Sequence, residues 1–466
     1  MTRSFPEGFV WGVAAASYQI EGGATEGGRG PSIWDTFSHT PGKVVGGDTG
    51  DVACDHYHRW ESDLDLMAEL GFKNYRLSIA WPRVMADGKT LNKEGLDFYD
   101  RLVDGMLARG INPLATLYHW DLPQALDEGE GRGWLDRTVA DHFAEFARVV
   151  GERLGDRLSA VTTLNEPWCS AYLGYGSGEH APGLTDNTLC YPAAHHLNLA
   201  HGKAVQALRS VLPATTGVSV TLNIHQLEAA SDSAEDLAAT QHLDLVANRI
   251  WLDPMLKGGY PAELLETTSH LTDWSFIKDG DEADIHQPID FLGVNYYNPQ
   301  RIAAPTPGQP TFPGTDKAAS IGYGPEVETT IMGWPIVPSG LTDLLVRLHH
   351  DYGVPLQVTE NGISSEELLD PQAVADAAAD DATVAVHDTQ RVTYLREHLG
   401  ALLDAIDKGV DVNGYYAWSV MDNFEWAWGY AKRFGIIHVD FPTQSRHPKD
   451  SAFFYSDVIR ANALAV

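Results

Sequence analysis

Eight short apolar runs, at 10–17, 74–80, 113–118, 160–164, 217–222, 291–296, 355–359 and 414–419, recur at fairly even intervals along the chain. Between them lie stretches with the 3.6-residue period of amphipathic helices, at 55–70, 96–109, 137–154, 192–211, 234–251, 339–352 and 388–408. Runs apolar on both faces suit parallel strands covered by helices. Strict alternation over eight units therefore predicts an α/β fold of the closed (β/α)8, or TIM, barrel type rather than an open sheet. A length of 466 residues would also suit two or three average domains. Barrels of this size with long loops fold around one core, so a single barrel domain over 1–466 is expected. Three stretches interrupt the rhythm, at 22–50, 305–338 and 364–387. The first two, rich in Gly and Pro, read as long loops on the C-terminal face of the barrel, where binding loops collect. In the third, the acidic and Ala-rich segment from Asp370 reads as a solvated loop or short helix.

In a parallel barrel every strand delivers its last residues to one rim, so strand ends meet in space however far apart they lie in sequence. Here they read Gln19, Arg76, His119, Asn165, Glu166, Asn295, Tyr297, Glu360 and Trp418, with Glu425 and Trp426 shortly after. Polar hydrogen-bonding groups mixed with indole faces are the equipment for holding a neutral polyhydroxylated ring. Two members are glutamates closing β-branched runs: Glu166 in Val-Thr-Thr-Leu-Asn-Glu-Pro and Glu360 in Leu-Gln-Val-Thr-Glu-Asn-Gly. A Pro or Gly within two residues stops each strand and holds the carboxyl at the rim rather than in the core. One such glutamate often does no more than cap the next helix. Two facing each other are what cleavage of a glycosidic bond requires, one to protonate the leaving oxygen and one to attack or to activate water.

Composition narrows the alternatives. With 32 Lys and Arg against 64 Asp and Glu, the formal charge is -32, which argues against nucleic acid and anionic membranes as partners. A small neutral substrate is expected instead. The 13 tryptophans exceed what packing requires, so some should line a site. Cys54, Cys169 and Cys190 have no ligand-like spacing and are expected as free thiols. The pairs His56/His58 and His195/His196 lack a third ligand nearby, and no metal or other cofactor is expected. No Walker motif occurs, and the glycines at 27–30 do not join a strand to a helix. Neither an N-terminal apolar segment nor a membrane-length run is present, which makes a cytoplasmic location the default expectation.

Several of these segments coincide with a known pattern. Asn165-Glu166-Pro167, Thr359-Glu360-Asn361-Gly362, the 75–83 segment Tyr-Arg-Leu-Ser-Ile-Ala-Trp-Pro-Arg, His119-Trp-Asp-Leu-Pro123, the 418–426 segment Trp-Ser-Val-Met-Asp-Asn-Phe-Glu-Trp and the opening 9–23 together resemble glycoside hydrolase family one. The resemblance covers nearly the whole chain. It implies a (β/α)8 barrel, hydrolysis of β-glycosides with retention, and a β-glucosidase as the usual activity. Position by position it makes Glu360 the nucleophile and Glu166 the acid and base, with carboxyls about 5 to 5.5 Å apart. Glu166 must start protonated, so its pKa should lie above about 4.3, lifted by burial and by the charge of Glu360. Arg76 and Tyr297, supported by Asn295, are expected to keep Glu360 ionised and aimed. Asn165 is expected on the sugar 2-hydroxyl, Gln19, His119, Glu425 and Trp426 on the outer hydroxyls, and Trp418 as the stacking floor. Glu425 favours unphosphorylated sugars, because a carboxylate repels a 6-phosphate. Trp168, Asn223 and Trp334 are candidates for the leaving-group side, while His180 receives no catalytic role.

Overall fold

In the computed structural model, which describes residues 2–128, 132–369 and 384–465, eight parallel strands pair in sequence order and close on themselves. They are β1 (Val10–Ala14), β2 (Asn74–Ser78), β3 (Asn112–Tyr118), β4 (Ala160–Asn165), β5 (Gly217–Leu222), β6 (Phe291–Asn295), β7 (Leu356–Asn361) and β8 (Val412–Trp418). Closure comes from β8 against β1, in register from Gly414 opposite Val10 to Trp418 opposite Ala14. The covering helices are α1 (His56–Glu69), α2 (Lys93–Ala108), α3 (Thr138–Leu154), α4 (Cys190–Val211), α5 (Ala234–Leu243), α6 (Pro338–Tyr352), α7 (Thr389–Asp407) and α8 (Asp450–Ala461). All eight expected strands and all seven expected helical stretches are present, with ends shifted by a few residues. The segment from Asp370 to 383 lies outside the described residues.

Two departures have local causes. Helix α8 carries Phe453, Phe454 and Tyr455 in a row, aromatics of modest helix propensity that mask its period. It is held by burial of Ala452, Tyr455 and Val458 against the barrel. The first apolar run does not stay extended to 17: β1 stops at Ala14 and a single helical turn, Ser17–Ile20, follows. There Ser78 Oγ accepts from the Ser17 amide at 2.7 Å, and Ser17 Oγ donates to Asp121 Oδ2 at 3.0 Å. Side-chain oxygens thus take the bonds that a longer strand ladder would have used. The turn places Gln19 beside the loop after β8.

Helix faces such as Leu102, Val103 and Met106 of α2, with Phe143, Phe146 and Val150 of α3, bury against the outer side of the barrel. Inside the barrel some neighbouring strands meet through small polar groups, as in the 2.7 Å contact between Thr162 Oγ1 and Ser219 Oγ. The strands that carry the two glutamates are irregular just before them. Register shifts fall between Thr162 and Asn165 of β4 and between Val358 and Glu360 of β7. Such irregularities at a barrel rim turn a side chain away from simple alternation and toward the mouth. Next to Glu360 the backbone of Gly362 lies so close to β8 that a Cβ there would sit 1.8 Å from the Trp418 carbonyl oxygen, which only glycine avoids. Over the rim, Gln300–Ala303 pairs with Ala319–Ile321 on one side and Leu227–Ala229 on the other, so the 305–338 loop is partly sheet. No described helix is long and apolar enough to cross a membrane.

Candidate active site

Glu360 is the penultimate residue of β7, and its carboxylate is held by two donors. Arg76 Nη1 donates to Oε1 at 2.6 Å and the Tyr297 hydroxyl donates to Oε2 at 2.7 Å. Arg76 comes from the middle of β2 and not from its end, so its long side chain spans the lumen to reach Glu360. Its other terminal nitrogen donates to Asn165 Oδ1 at 2.6 Å. Glu166 follows directly after β4 with φ +45°, a left-handed conformation uncommon outside glycine and characteristic of over-determined functional positions. Asn295, the last residue of β6, donates to Glu166 Oε1 at 2.7 Å and to Asn165 Oδ1 at 3.1 Å. The Cys169 thiol donates to Glu166 Oε2 at 3.3 Å. One cluster therefore contains both glutamates, but only Glu360 touches a cation.

That asymmetry separates their proton affinities. Burial, then the negative charge of Glu360, pushes Glu166 up to about 8. Burial pushes Glu360 up as well, opposed by Arg76 and by its hydrogen-bonding neighbours. A proton shared by the pair rests on Glu166, because the guanidinium sits on the other carboxyl. Burial and the charges of Glu360 and Glu166 also push Glu425 up to about 8. Below that pH, Arg76 and Glu360 balance while Glu166 and Glu425 hold protons. If Glu166 is the acid expected from the sequence, its proton is lost as pH rises through about 8, and kcat/KM should fall on the alkaline side with an apparent pKa near that value. A pH–rate profile checks this, and an alkaline limb that begins near pH 5 would contradict it.

The cluster forms the floor of a cavity of about 550 Å³, within the range for small-molecule sites. Six of the 13 tryptophans line it, Trp120, Trp168, Trp334, Trp418, Trp426 and Trp428, which accounts for the aromatic excess. The His119 ring lies nearly parallel to Trp418 and Trp426, with centroids 5.7 and 6.0 Å away. Burial and Arg76 hold its imidazole well below the usual range, so it is neutral. With Nε2 facing Asn165 Nδ2 at 3.1 Å, the proton sits on Nδ1, which has no protein partner and is free to donate to a ligand. Burial and the Glu360 charge push the Tyr297 phenol up, so it stays a donor.

Of the residues expected from sequence, His119, Glu166, Trp168, Asn223, Asn295, Tyr297, Trp334, Glu360, Trp418, Glu425 and Trp426 line the cavity. Gln19, Arg76 and Asn165 stand just behind its wall. Gln19 Nε2 donates to Asn423 Oδ1 at 3.0 Å and to the Phe424 carbonyl at 2.9 Å, and lies 3.4 Å from Glu425 Oε2. Asn165 has its amide oxygen shared between Arg76 and Asn295. The outer wall has two aromatic sides. Trp168 packs on Phe312 and His225, and Trp334 packs on Tyr297 and Phe434, with centroids 4.8 to 6.0 Å apart.

Trp120, Cys169, His225, Phe312, Trp428 and Phe434 also line the cavity without having been singled out. Trp120 and Cys169 could have been found from their places beside His119 and Glu166. The others sit in loops with no strand to announce them. Among the described residues, a set with metal-ligand spacing is Glu367, Asp422 and His438, away from this cavity. Lys449 Nζ lies 2.8 Å from Asp422, and Lys449 also pairs with Glu367, so protein cations already occupy that position. His195 contacts Tyr260 and Asp281, and His56 contacts Asp63, as structural pairs.

Residues 1–464 match the family model described as glycosyl hydrolase family 1. A bifunctional beta-D-glucosidase/beta-D-fucosidase of Bifidobacterium breve is 50% identical over 98% of this chain and 98% of its own length. A psychrophilic beta-glucosidase from Micrococcus antarcticus superposes with a TM-score of 0.92 at 43% identity, covering 99% of this chain and 98% of that one. A beta-glucosidase from Thermotoga maritima in complex with deoxynojirimycin superposes with a TM-score of 0.91 at 42% identity, over 99% and 100% of the two chains.

Proposed function

Because the chain belongs to glycosyl hydrolase family 1, we propose that it is a retaining exo-β-glucosidase acting on cellobiose, short cello-oligosaccharides and aryl β-glucosides. The observation that carries this reading is the unequal company of the two buried carboxyls: Arg76 and Tyr297 on Glu360, neutral donors alone on Glu166. A charged, aimed carboxylate beside a protonated one is the arrangement for double displacement. Glu360 attacks the anomeric carbon while Glu166 passes its proton to the departing glycosidic oxygen, leaving a covalent glycosyl-enzyme. Esterification removes the Glu360 charge, which lowers the proton affinity of Glu166 and turns it into the base for the incoming water. Water attacks from the face the leaving group vacated, so the product keeps the β configuration.

Trp418 offers the indole floor, and His119 Nδ1, Glu425 and Gln19 the polar groups for the outer hydroxyls. Asn165 is assigned to the 2-hydroxyl, next to the acid. In either protonation state Glu425 provides no cation for a 6-phosphate, which supports an unphosphorylated sugar. Trp168, Asn223 and Trp334 form the leaving-group side. No metal or other cofactor enters this reaction. A broader specificity is favoured by the bifunctional Bifidobacterium breve relative: Glu425 can reach a 4-hydroxyl in either orientation, so activity on β-D-fucosides and β-galactosides belongs to the same reading.

The test is hydrolysis of p-nitrophenyl β-D-glucoside, β-D-fucoside, β-D-galactoside and the 6-phosphorylated glucoside, with the first-formed anomer followed by proton NMR. We expect the β anomer first, and at least about 100-fold lower kcat/KM for the phosphorylated substrate. An α product would exclude retention. No hydrolysis of any β-glycoside would leave only a sugar-binding role.

A further inference from the structure

Tyr297 reaches Glu360 from a segment that has already left the barrel ladder, since β6 ends at Asn295. The last backbone bond on that side runs from the Tyr296 amide to the Glu360 carbonyl at 3.0 Å. Beyond it, the main chain of Tyr296 and Tyr297 is held by side chains. Asn361, the residue after Glu360 and the last of β7, donates from Nδ2 to the Tyr296 carbonyl at 2.7 Å and to the Tyr394 hydroxyl at 2.9 Å. Tyr394, on α7, donates its own hydroxyl hydrogen bond to the Tyr297 carbonyl at 3.2 Å. The amide oxygen of Asn361 accepts from the Tyr415 hydroxyl at 2.8 Å. Asn361, Tyr394 and Tyr415 are all buried, and every hydrogen of the Asn361 amide is used.

A satisfied polar network of this kind has one geometry, because any slip leaves a buried donor or acceptor unpaired. Here that geometry is tied at one end to the backbone of the Glu360 strand and at the other to the backbone of Tyr297. We propose that Asn361 and Tyr394 are positioning residues for the reaction: they hold the Tyr297 phenol on Glu360 Oε2 and so keep the nucleophile aimed and charged. This rests on the reading of Glu360 as the nucleophile. Tyr394 is itself fixed by its ring, which stacks on His398 with centroids 3.7 Å apart, so its hydroxyl has little freedom to follow a displaced loop.

The test compares Tyr394→Phe, Tyr297→Phe, the double variant, and Asn361→Ala as a second way of opening the network. The readouts are the acidic limb of the kcat/KM profile on an aryl β-glucoside and the titration of the Glu360 carboxyl by NMR of carbon-13-labelled glutamate. Loss of a hydrogen bond to a charged carboxylate raises its pKa, so Tyr297→Phe should move both readouts up by about one pH unit. Tyr394→Phe should move them in the same direction by about half as much, with no further rise in the double variant. Asn361→Ala should behave like Tyr394→Phe. A Tyr394→Phe protein with a lowered Tm and unmoved titration overturns the proposal, as does a shift that adds in full to that of Tyr297→Phe. The NMR titration needs no turnover, so a wild type inactive on β-glycosides would sink the functional reading while the coupling between Tyr394 and Glu360 was still measured.

Discussion

Replacing Glu360 by glycine is expected to lower kcat on p-nitrophenyl β-D-glucoside by at least about 10⁴-fold, some 5.5 kcal/mol of barrier. The size follows from what the side chain does in the proposed mechanism. It supplies the bond that forms at the anomeric carbon, and no neighbour is placed to replace it: Tyr297 and Arg76 address the carboxylate itself, and Glu166 serves the opposite face. The variant leaves a hole lined by an arginine and a phenol, which suits a small anion. Added azide should enter it, attack the anomeric carbon from the Glu360 side and yield α-glucosyl azide with recovered turnover. Removing Glu360 also leaves the buried Arg76 guanidinium without its carboxylate partner, a cost of about 3 to 5 kcal/mol in stability, so the Tm of the variant is measured beside its activity and azide, by restoring an anion next to Arg76, should raise both. A variant that retained activity without azide, or that returned the β-azide, would remove Glu360 from the nucleophile's place.

How far such assignments could be read in advance depends on whether a residue is tied to a strand. The barrel was legible because two periods alternate eight times, and each strand end then names a neighbour of every other. Asn165, Glu166, Asn295, Glu360 and Trp418 were accessible in this way, and all close strands at one rim. Arg76 entered the same list for a partly different reason, since it lies mid-strand and reaches the rim only through the length of its side chain. What no periodicity signals is contact between loops. Trp34, from the 22–50 loop, packs with its centroid 4.6 Å from Trp426, and Trp426 itself takes a left-handed φ of +49°. Phe312, His225 and Phe434 come from three more segments outside the strands, and only tertiary packing brings them to the outer wall. The Asn361–Tyr394–Tyr297 chain is hidden for the same reason, as it joins β7, α7 and the turn after β6 through side-chain donors that reach the Tyr296 and Tyr297 carbonyls. Register irregularity is a further hidden element: the shifts before Glu166 and Glu360 aim both carboxyls, yet Val-Thr-Thr-Leu-Asn and Leu-Gln-Val-Thr read as ordinary strands.

Substitution of Glu166 separates the two halves of the reaction, and its effect should depend on the leaving group. For cellobiose, whose glycosidic oxygen needs a proton to depart, Glu166→Ala is expected to reduce kcat/KM by about 10²- to 10⁴-fold, the usual contribution of general acid catalysis. For 2,4-dinitrophenyl β-D-glucoside the leaving anion is stable without a proton, so kcat/KM should change little. The second step still lacks its base, and kcat should fall together with KM as the glycosyl-enzyme accumulates, with a burst of phenolate in the first turnover. Azide needs no deprotonation, and in the space left by the carboxyl it should restore kcat and give β-glucosyl azide, opposite in configuration to the product from the Glu360 variant. The alkaline limb provides an independent check. Burial and the Glu360 charge push Glu166 up to about 8, so wild-type activity is expected to be present below that pH and to be lost above it. Removal of the group should therefore remove that limb for the dinitrophenyl substrate, apart from any residual titration of Glu425, which is pushed up to about 8 as well. Glu166→Gln keeps the size and the Asn295 contact but cannot move a proton, so it should lose cellobiose hydrolysis as fully as alanine does while resisting azide rescue. Equal losses on cellobiose and on the dinitrophenyl glucoside, or an alkaline limb unchanged in Glu166→Gln/Glu425→Gln, would place the acid elsewhere in the cavity.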